Sequence, residues 1–124
     1  LFLLHQTDLP YLSGDEHAVV AEFYLKSPAG IVVWEIDEVD GNAVVTLVAV
    51  EPCYQRRGLF RKLWAEATLN MIGQGAREVS LGVPYNNTTA IKAYQEVGMT
   101  RAYITFAQEL HDVNHTPRSR KKIR

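Results

Sequence analysis

The stretch Ala43-Val-Val-Thr-Leu-Val-Ala-Val50, followed by Glu51-Pro-Cys-Tyr-Gln-Arg-Arg-Gly58 and then Leu59-Phe-Arg-Lys-Leu-Trp64, decides the fold. Its first part is almost continuously apolar, which predicts a central strand buried on both faces. Pro52 closes that strand. Beyond Gly58, apolar residues recur at Leu59, Phe60, Leu63, Trp64, Ala67 and Met71, with Arg61, Lys62 and Glu66 between them. This is the pattern of an amphipathic helix of about four turns. Gly73-Gln74-Gly75 ends it. Val79-Ser-Leu-Gly-Val83 is a further short apolar run, and strand, helix and strand in this order imply parallel pairing through a right-handed crossover.

Working outward, Ala18-Val-Val-Ala-Glu-Phe-Tyr-Leu25 and Ile31-Val-Val-Trp-Glu-Ile36 read as strands separated by a turn over residues 26–30. Asp40-Gly41-Asn42 is a hairpin signal that joins the second of them to the 43–50 strand. The first 17 residues read as loop with room for one short element. Downstream, Asn86-Asn87-Thr88 offers N-caps for a second helix carrying Ala90, Ile91, Ala93, Tyr94 and Val97 on one stripe, ended by Gly98. Tyr103 to Leu110 reads as a last strand, and the segment after Pro117 as a disordered basic tail.

With 124 residues, 47% hydrophobic and 22% charged, the chain has the profile of one globular domain, read as residues 1–117 plus a tail over 118–124. No apolar run reaches the roughly 20 residues of a membrane helix, so no membrane partner is expected. A single cysteine excludes an internal disulfide framework and fits a reducing, cytoplasmic setting. The chain opens without an initiator Met and without a basic leader, which reads as a trimmed or processed form. The spacing of His, Cys and acids makes no metal set; His111 and His115 stand four apart in polar, Pro-containing sequence.

The net charge of −1 conceals a segregation. Residues 1–51 hold nine acids and one base, a net −8; residues 56–62 hold four bases and no acid; residues 118–124 hold five bases and no acid. The strand-to-helix loop is therefore a basic segment at a helix N-terminus. Unpaired first-turn N–H groups and the helix dipole attract an anion there, and Gly58 permits close approach to the backbone. The loop is neither a Walker loop nor a Gly-x-Gly-x-x-Gly turn. A phosphate or pyrophosphate is the expected ligand, against the alternative of a surface helix with solvated bases.

A second motif weighs on that choice. Val50-x-Pro52 with Gln55-x-x-Gly58 resembles the acetyl-CoA-binding motif of the GNAT superfamily of acetyltransferases, and Asn87-x-x-Ala90-x-x-x-Tyr94 with Gly98-Met99 resembles that superfamily's second motif. The two stand in register over residues 18–110. Phe60 replaces a small residue of the first motif, and Ala93 stands where Leu is usual. The resemblance implies an α/β fold: a mixed, mostly antiparallel sheet with a central parallel pair splayed around CoA, flanked by helices. It also implies an abbreviated front end, because only 17 residues precede Ala18.

By the same resemblance, backbone N–H groups of Arg56, Arg57, Gly58, Leu59 and Phe60 would hold the pyrophosphate, with Gln55 in the same loop. Val48 to Val50 would lie along pantetheine and supply an oxyanion donor. Asn87 would contact the pantetheine arm, and Tyr94 would protonate the leaving thiolate. Asn87 also suits a helix N-cap, and Tyr94 a core aromatic. The 43–50 strand carries no acid, so Glu35, Glu51 and Glu22 are the candidate general bases, with Glu35 preferred. A solvated strand-face carboxylate is the competing reading for each. The implied reaction is direct acyl transfer from acetyl-CoA to an amine, a cationic one given the acidic first half. The alternative is a CoA-binding module without catalysis. Nucleic acid is disfavoured by a net −6 over residues 1–117. A homodimer through the last strand is a further expectation.

Overall fold

The computed structural model describes residues 2–7, 16–23, 27–37, 39–55 and 58–111. Arg56, Arg57 and the basic tail over 118–124 lie outside the described residues. The chain divides into two units, Leu1–Gly82 and Val83–Arg124.

The first unit is a five-stranded sheet with one long helix. Strands β1 (Phe2–Thr7), β2 (Glu16–Phe23), β3 (Ser27–Asp37), β4 (Asn42–Val50) and β5 (Glu78–Ser80) lie side by side in chain order. The first four pair antiparallel; β4 and β5 pair parallel across helix α1 (Leu59–Gly73). The mixed sheet with one parallel pair is the expected architecture. The first 17 residues contribute β1 and the start of β2.

Helix α1 packs on β3 and β2. The core between them is Val19, Val32 and Trp34 from the sheet against Leu59, Leu63, Ala67 and Met71 from the helix, all buried. A Cβ on Gly30 would stand 2.8 Å from Leu63 Cδ1 and 3.1 Å from the Ala49 carbonyl oxygen, so the glycine is what lets the helix sit so close. Trp34 is wholly buried, and its indole N–H donates to Gln74 Oε1 at 2.9 Å. His17 stacks on the same indole with centroids 5.9 Å apart. The residue that ends α1 thus satisfies the polar edge of the largest fully buried side chain among the described residues.

Three local expectations are corrected. Of the turn expected over residues 26–30, residues 27–30 instead begin β3, and Lys26 lies outside the described residues. The ladder there is irregular, with Ala21 opposite Gly30 and Glu22 opposite Pro28, and this bulge is how a strand accommodates the proline. Second, β4 is interior to the sheet but buried on one face only. Ala43 and Val45 face the core, while Val44 is 40% and Leu47 45% exposed. Third, residues 103–110 form no strand. Residues 101–111 have no regular structure and are exposed throughout, because a strand needs a ladder and none of these residues has one.

In the second unit, helix α2 (Thr88–Glu96) follows the expected cap and stop. Asn87 Oδ1 accepts from the Ala90 N–H at 3.2 Å. After Val97 the chain turns through Gly98, and the Met99 N–H returns to the Tyr94 carbonyl at 3.0 Å.

Candidate active site

The β4–β5 pairing is brief. Asn42, Ala43 and Val44 lie opposite Glu78, Val79 and Ser80, and there the ladder ends, while β4 runs on to Val50. Alternate backbone groups of β4 beyond Val44 therefore face an edge with no strand partner among the described residues. An edge whose N–H and C=O groups have no strand partner among the described residues suits an extended ligand that carries amides of its own.

A bulge shapes this edge. Val45 lies opposite Trp34 and Leu47 opposite Val33, so Thr46 has no partner on β3. Its hydroxyl donates to the Val33 carbonyl at 3.4 Å. The extra residue reverses the alternation. Val45 faces the core before it, and Val48, opposite the buried Val32, faces the core after it. Thr46 is a site-shaping residue that pattern reading missed. Its signal was present, since it is the only polar side chain in the 43–50 run.

The edge leads into the loop before α1. Glu51 is exposed, and its N–H donates to the Ala29 carbonyl at 2.8 Å. Pro52–Tyr54 forms a single 3-10 turn, and the Gln55 side chain donates back to the Val50 carbonyl at 3.1 Å. Gly58 follows at φ 76°, where a Cβ would meet nothing within 4 Å. It precedes a helix with no side-chain cap and no acid in its first turn. Arg61 and Lys62 are exposed on that turn. Open backbone, a dipole end and two bases fit a phosphate or pyrophosphate. Leu59 is buried, so its side chain serves the core and only its N–H is available; Phe60 is half-buried and tilts against Trp64 at 5.8 Å.

Residues 3–99 match the acetyltransferase (GNAT) family. The chain belongs to the GNAT family of acetyltransferases. It is 35% identical over 90 residues to a mycothiol acetyltransferase of Saccharopolyspora erythraea, an alignment that takes in 73% of this chain and 27% of that one. The chain thus spans about a quarter of that curated relative's length. Among solved structures, it resembles the aminoglycoside N-acetyltransferase AAC(6')-Iy in complex with CoA, at TM-score 0.71 and 17% identity, covering 86% of this chain and 98% of that one. It also resembles the ribosomal-protein-S18-alanine N-acetyltransferase from Escherichia coli, at TM-score 0.66 and 24% identity, over 74% of this chain and 57% of that one. At these identities, both likenesses concern the fold.

Within the GNAT chain, Val48, Val50, Gln55, Gly58, Leu59 and Phe60 come together in one unit, along the strand, loop and helix start. Glu35 also belongs to this unit. It is exposed on the sheet face away from α1 and lies opposite Val44, which in turn lies opposite Ser80. This row crosses the sheet at the level where β4 and β5 part. Glu16 continues the row on the other side of Glu35, a neighbour that sequence reading did not single out because register decides it. Val48 pairs with Val32, three residues from Glu35, which puts Glu35 about 10 Å along the sheet from Val48.

Glu22 lies opposite Pro28 at the far end of β2, away from this row. Asn87 and Tyr94 belong to the second unit. The cap reading of Asn87 holds, since its carbonyl oxygen is engaged at the helix start. Tyr94 is half-buried, and burial pushes its phenol above the ordinary tyrosine value. Cys53 is a free, exposed thiol. Among the described residues no group of three or more His, Cys, Asp or Glu could hold a metal, and no helix is long and apolar enough to cross a membrane.

Proposed function

We propose that this chain is an N-acetyltransferase that carries an acetyl group from acetyl-CoA to an amine by direct attack within a ternary complex. The observation that carries the reading is the end of the β4–β5 ladder at Val44 and Ser80, which leaves the β4 edge open from there to the Gly58 helix start. A pantetheine arm is an extended chain with two amides, and a pyrophosphate follows it. The open edge and the helix start offer partners for the two in that order. Acetyl-CoA, as the donor substrate, supplies a thioester activated toward amine attack.

The residues then divide the work. Backbone N–H groups near Val48 to Val50 orient the thioester carbonyl and stabilise negative charge on its oxygen. N–H groups from Arg56 to Phe60, with the Arg61 and Lys62 charges beside them, hold the phosphates. Glu35, at the head of this edge, receives the ammonium proton directly or through water, with Glu51 the alternative base. Tyr94 donates its proton to the departing thiolate; a phenol raised by burial stays protonated through neutral pH. Asn87 holds the pantetheine arm through its amide N–H₂, its oxygen being committed to the cap. Holding both substrates lowers the barrier by removing the entropy of encounter.

The acceptor is a small-molecule or protein amine, cationic to match the −8 of residues 1–51. The working unit is one domain over residues 1–117, acting in the cytoplasm as a homodimer. The second reading, a CoA-binding module without catalysis, draws on the absence of any acid from β4. Thermal shift with acetyl-CoA, followed by thiol release against a panel of amines, separates the two. Stabilisation with turnover supports the enzyme, stabilisation without turnover for any amine supports the module, and no stabilisation removes both.

A further inference from the structure

The β4–β5 ladder is only three residues long, from Asn42 opposite Glu78 to Val44 opposite Ser80. A slip of β5 by one residue would exchange the faces of Val79, beside the buried Ala43, and Ser80, beside the exposed Val44. Bonds made just before the ladder oppose that slip. The Ala76 N–H donates to the Met71 carbonyl at 2.9 Å, on the last turn of α1, and the Arg77 N–H donates to the Gly41 carbonyl at 2.8 Å. The Glu78 N–H shares the Gly41 carbonyl at 3.2 Å, and Arg77 Nη2 donates to the Asp40 carbonyl at 3.3 Å. Two consecutive residues thus tie the entry of β5 to the helix end on one side and to the β3–β4 turn on the other.

The turn that receives these bonds is itself fixed. The Gly41 N–H donates to the Asp37 carbonyl at 2.8 Å, and Asp37 Oδ1 accepts from the N–H groups of Val39 at 3.0 Å and Asp40 at 3.3 Å. Gly41 is buried at φ 67°, and a Cβ there would stand 2.8 Å from Arg77 Nε and 3.2 Å from its Nη2. The guanidinium therefore lies where any other residue would place its side chain. We infer that Gly41 and Arg77 are positioning residues for acetyl-CoA: together they set the register of β5 on β4, and with it the point, Val44 opposite Ser80, from which the β4 edge is open. Val44 is three residues, about 10 Å, along β4 from Gly41, and each residue of slip would move that point by about 3.3 Å. Displacements of about 1 Å already impair a site that aligns two substrates. The inference rests on the acyl-transfer reading, in which neither residue contacts the ligand.

The test is calorimetric titration of the full chain with acetyl-CoA, together with amide hydrogen exchange. Arg77→Ala changes an exposed side chain and removes the bond to the Asp40 carbonyl. Gly41→Asn supplies a residue that tolerates left-handed backbone but puts a Cβ where the guanidinium lies. Each should raise Kd for acetyl-CoA roughly three- to tenfold, and the Arg77 and Glu78 amides, bonded to Gly41 in the parent, should exchange faster by a similar factor. Arg77→Lys keeps a donor for the Asp40 carbonyl and should bring Kd back to within about twofold of the parent, because that bond is single rather than bidentate. Val19→Ala, a truncation in the buried core on β2, lowers stability elsewhere and should bind as the parent does. A parent that does not bind acetyl-CoA overturns the acyl-transfer reading and the inference with it. With a parent that binds, unchanged Kd or unchanged amide exchange in Arg77→Ala and Gly41→Asn, no recovery in Arg77→Lys, or an equal loss in Val19→Ala overturns the inference alone.

Discussion

The side-chain amide of Gln55 donates to the carbonyl oxygen of Val50 at 3.1 Å, tying the residue after the 3-10 turn to the end of the strand it follows. A motif glutamine that first reads as a ligand contact thus acts as a clamp. It ties Gln55 to the end of β4, on the strand side of the Gly58 helix start. Gln55→Ala should therefore raise KM for acetyl-CoA several-fold and leave kcat nearly unchanged. The bond is exposed, so unfolding free energy should fall by less than about 1 kcal/mol. Steady-state kinetics and urea unfolding check both halves, and a kcat loss equal to the KM effect would contradict the clamp.

Gly58 and Gly30 are glycines for opposite reasons. At Gly58 the backbone has φ 76° and open space around a Cβ, so Gly58→Ala meets conformational strain alone, about 1–2 kcal/mol. At Gly30 the backbone is an ordinary strand, but a Cβ would collide with Leu63 at 2.8 Å, a packing cost of about 1–3 kcal/mol. Denaturant melts of the two variants should show comparable losses. Leu63→Ala should partly rescue Gly30→Ala and leave Gly58→Ala unrescued, a comparison made by double-mutant cycle.

Gln74→Leu removes the acceptor of the buried Trp34 indole N–H. The donor is then left unsatisfied inside the core, which costs about 1–3 kcal/mol. Trp34→Phe in that background should recover part of the loss, because it removes the stranded donor along with the ring edge. Urea unfolding of the single and double variants tests the coupling.

Tyr94 supplies a pH prediction. Burial raises its phenol pKa in the folded chain, so the group favours the folded state below its unfolded value near 10. That contribution is lost as pH rises above 10 toward the folded value. Tyr94→Phe should flatten the stability profile above pH 10 and leave it unchanged at pH 7. In kinetics, kcat of the parent should show no alkaline limb from this group below pH 10. The phenylalanine variant should lose roughly a hundredfold in kcat with acetyl-CoA affinity retained.

How much of this was legible beforehand depends on the range of each signal. The long helix was readable because Leu59, Leu63, Ala67 and Met71 repeat at the spacing of a face, and that face is the buried one. The hairpin at Asp40-Gly41 and the Asn87 cap were readable because each depends on a few adjacent residues. Val44 and Leu47 misled, since an apolar run carries the same pattern whether one face or both are covered. Residues 103–110 misled in another way: strand propensity names a residue's preference, and a ladder needs a partner that propensity does not supply.

The sequence by itself therefore determined the order of elements, the glycine and bases at the helix start, and membership of the family through two motifs in register. Tertiary structure decided what lies across from what. It alone set Thr46 as the unpaired residue of β4, ended the β4–β5 ladder at Val44 and Ser80, and placed Glu35 in the row where the two strands part. The physical reason is that local pattern records how each residue meets the backbone next to it, whereas register and the end of a ladder are settled only when distant strands pair.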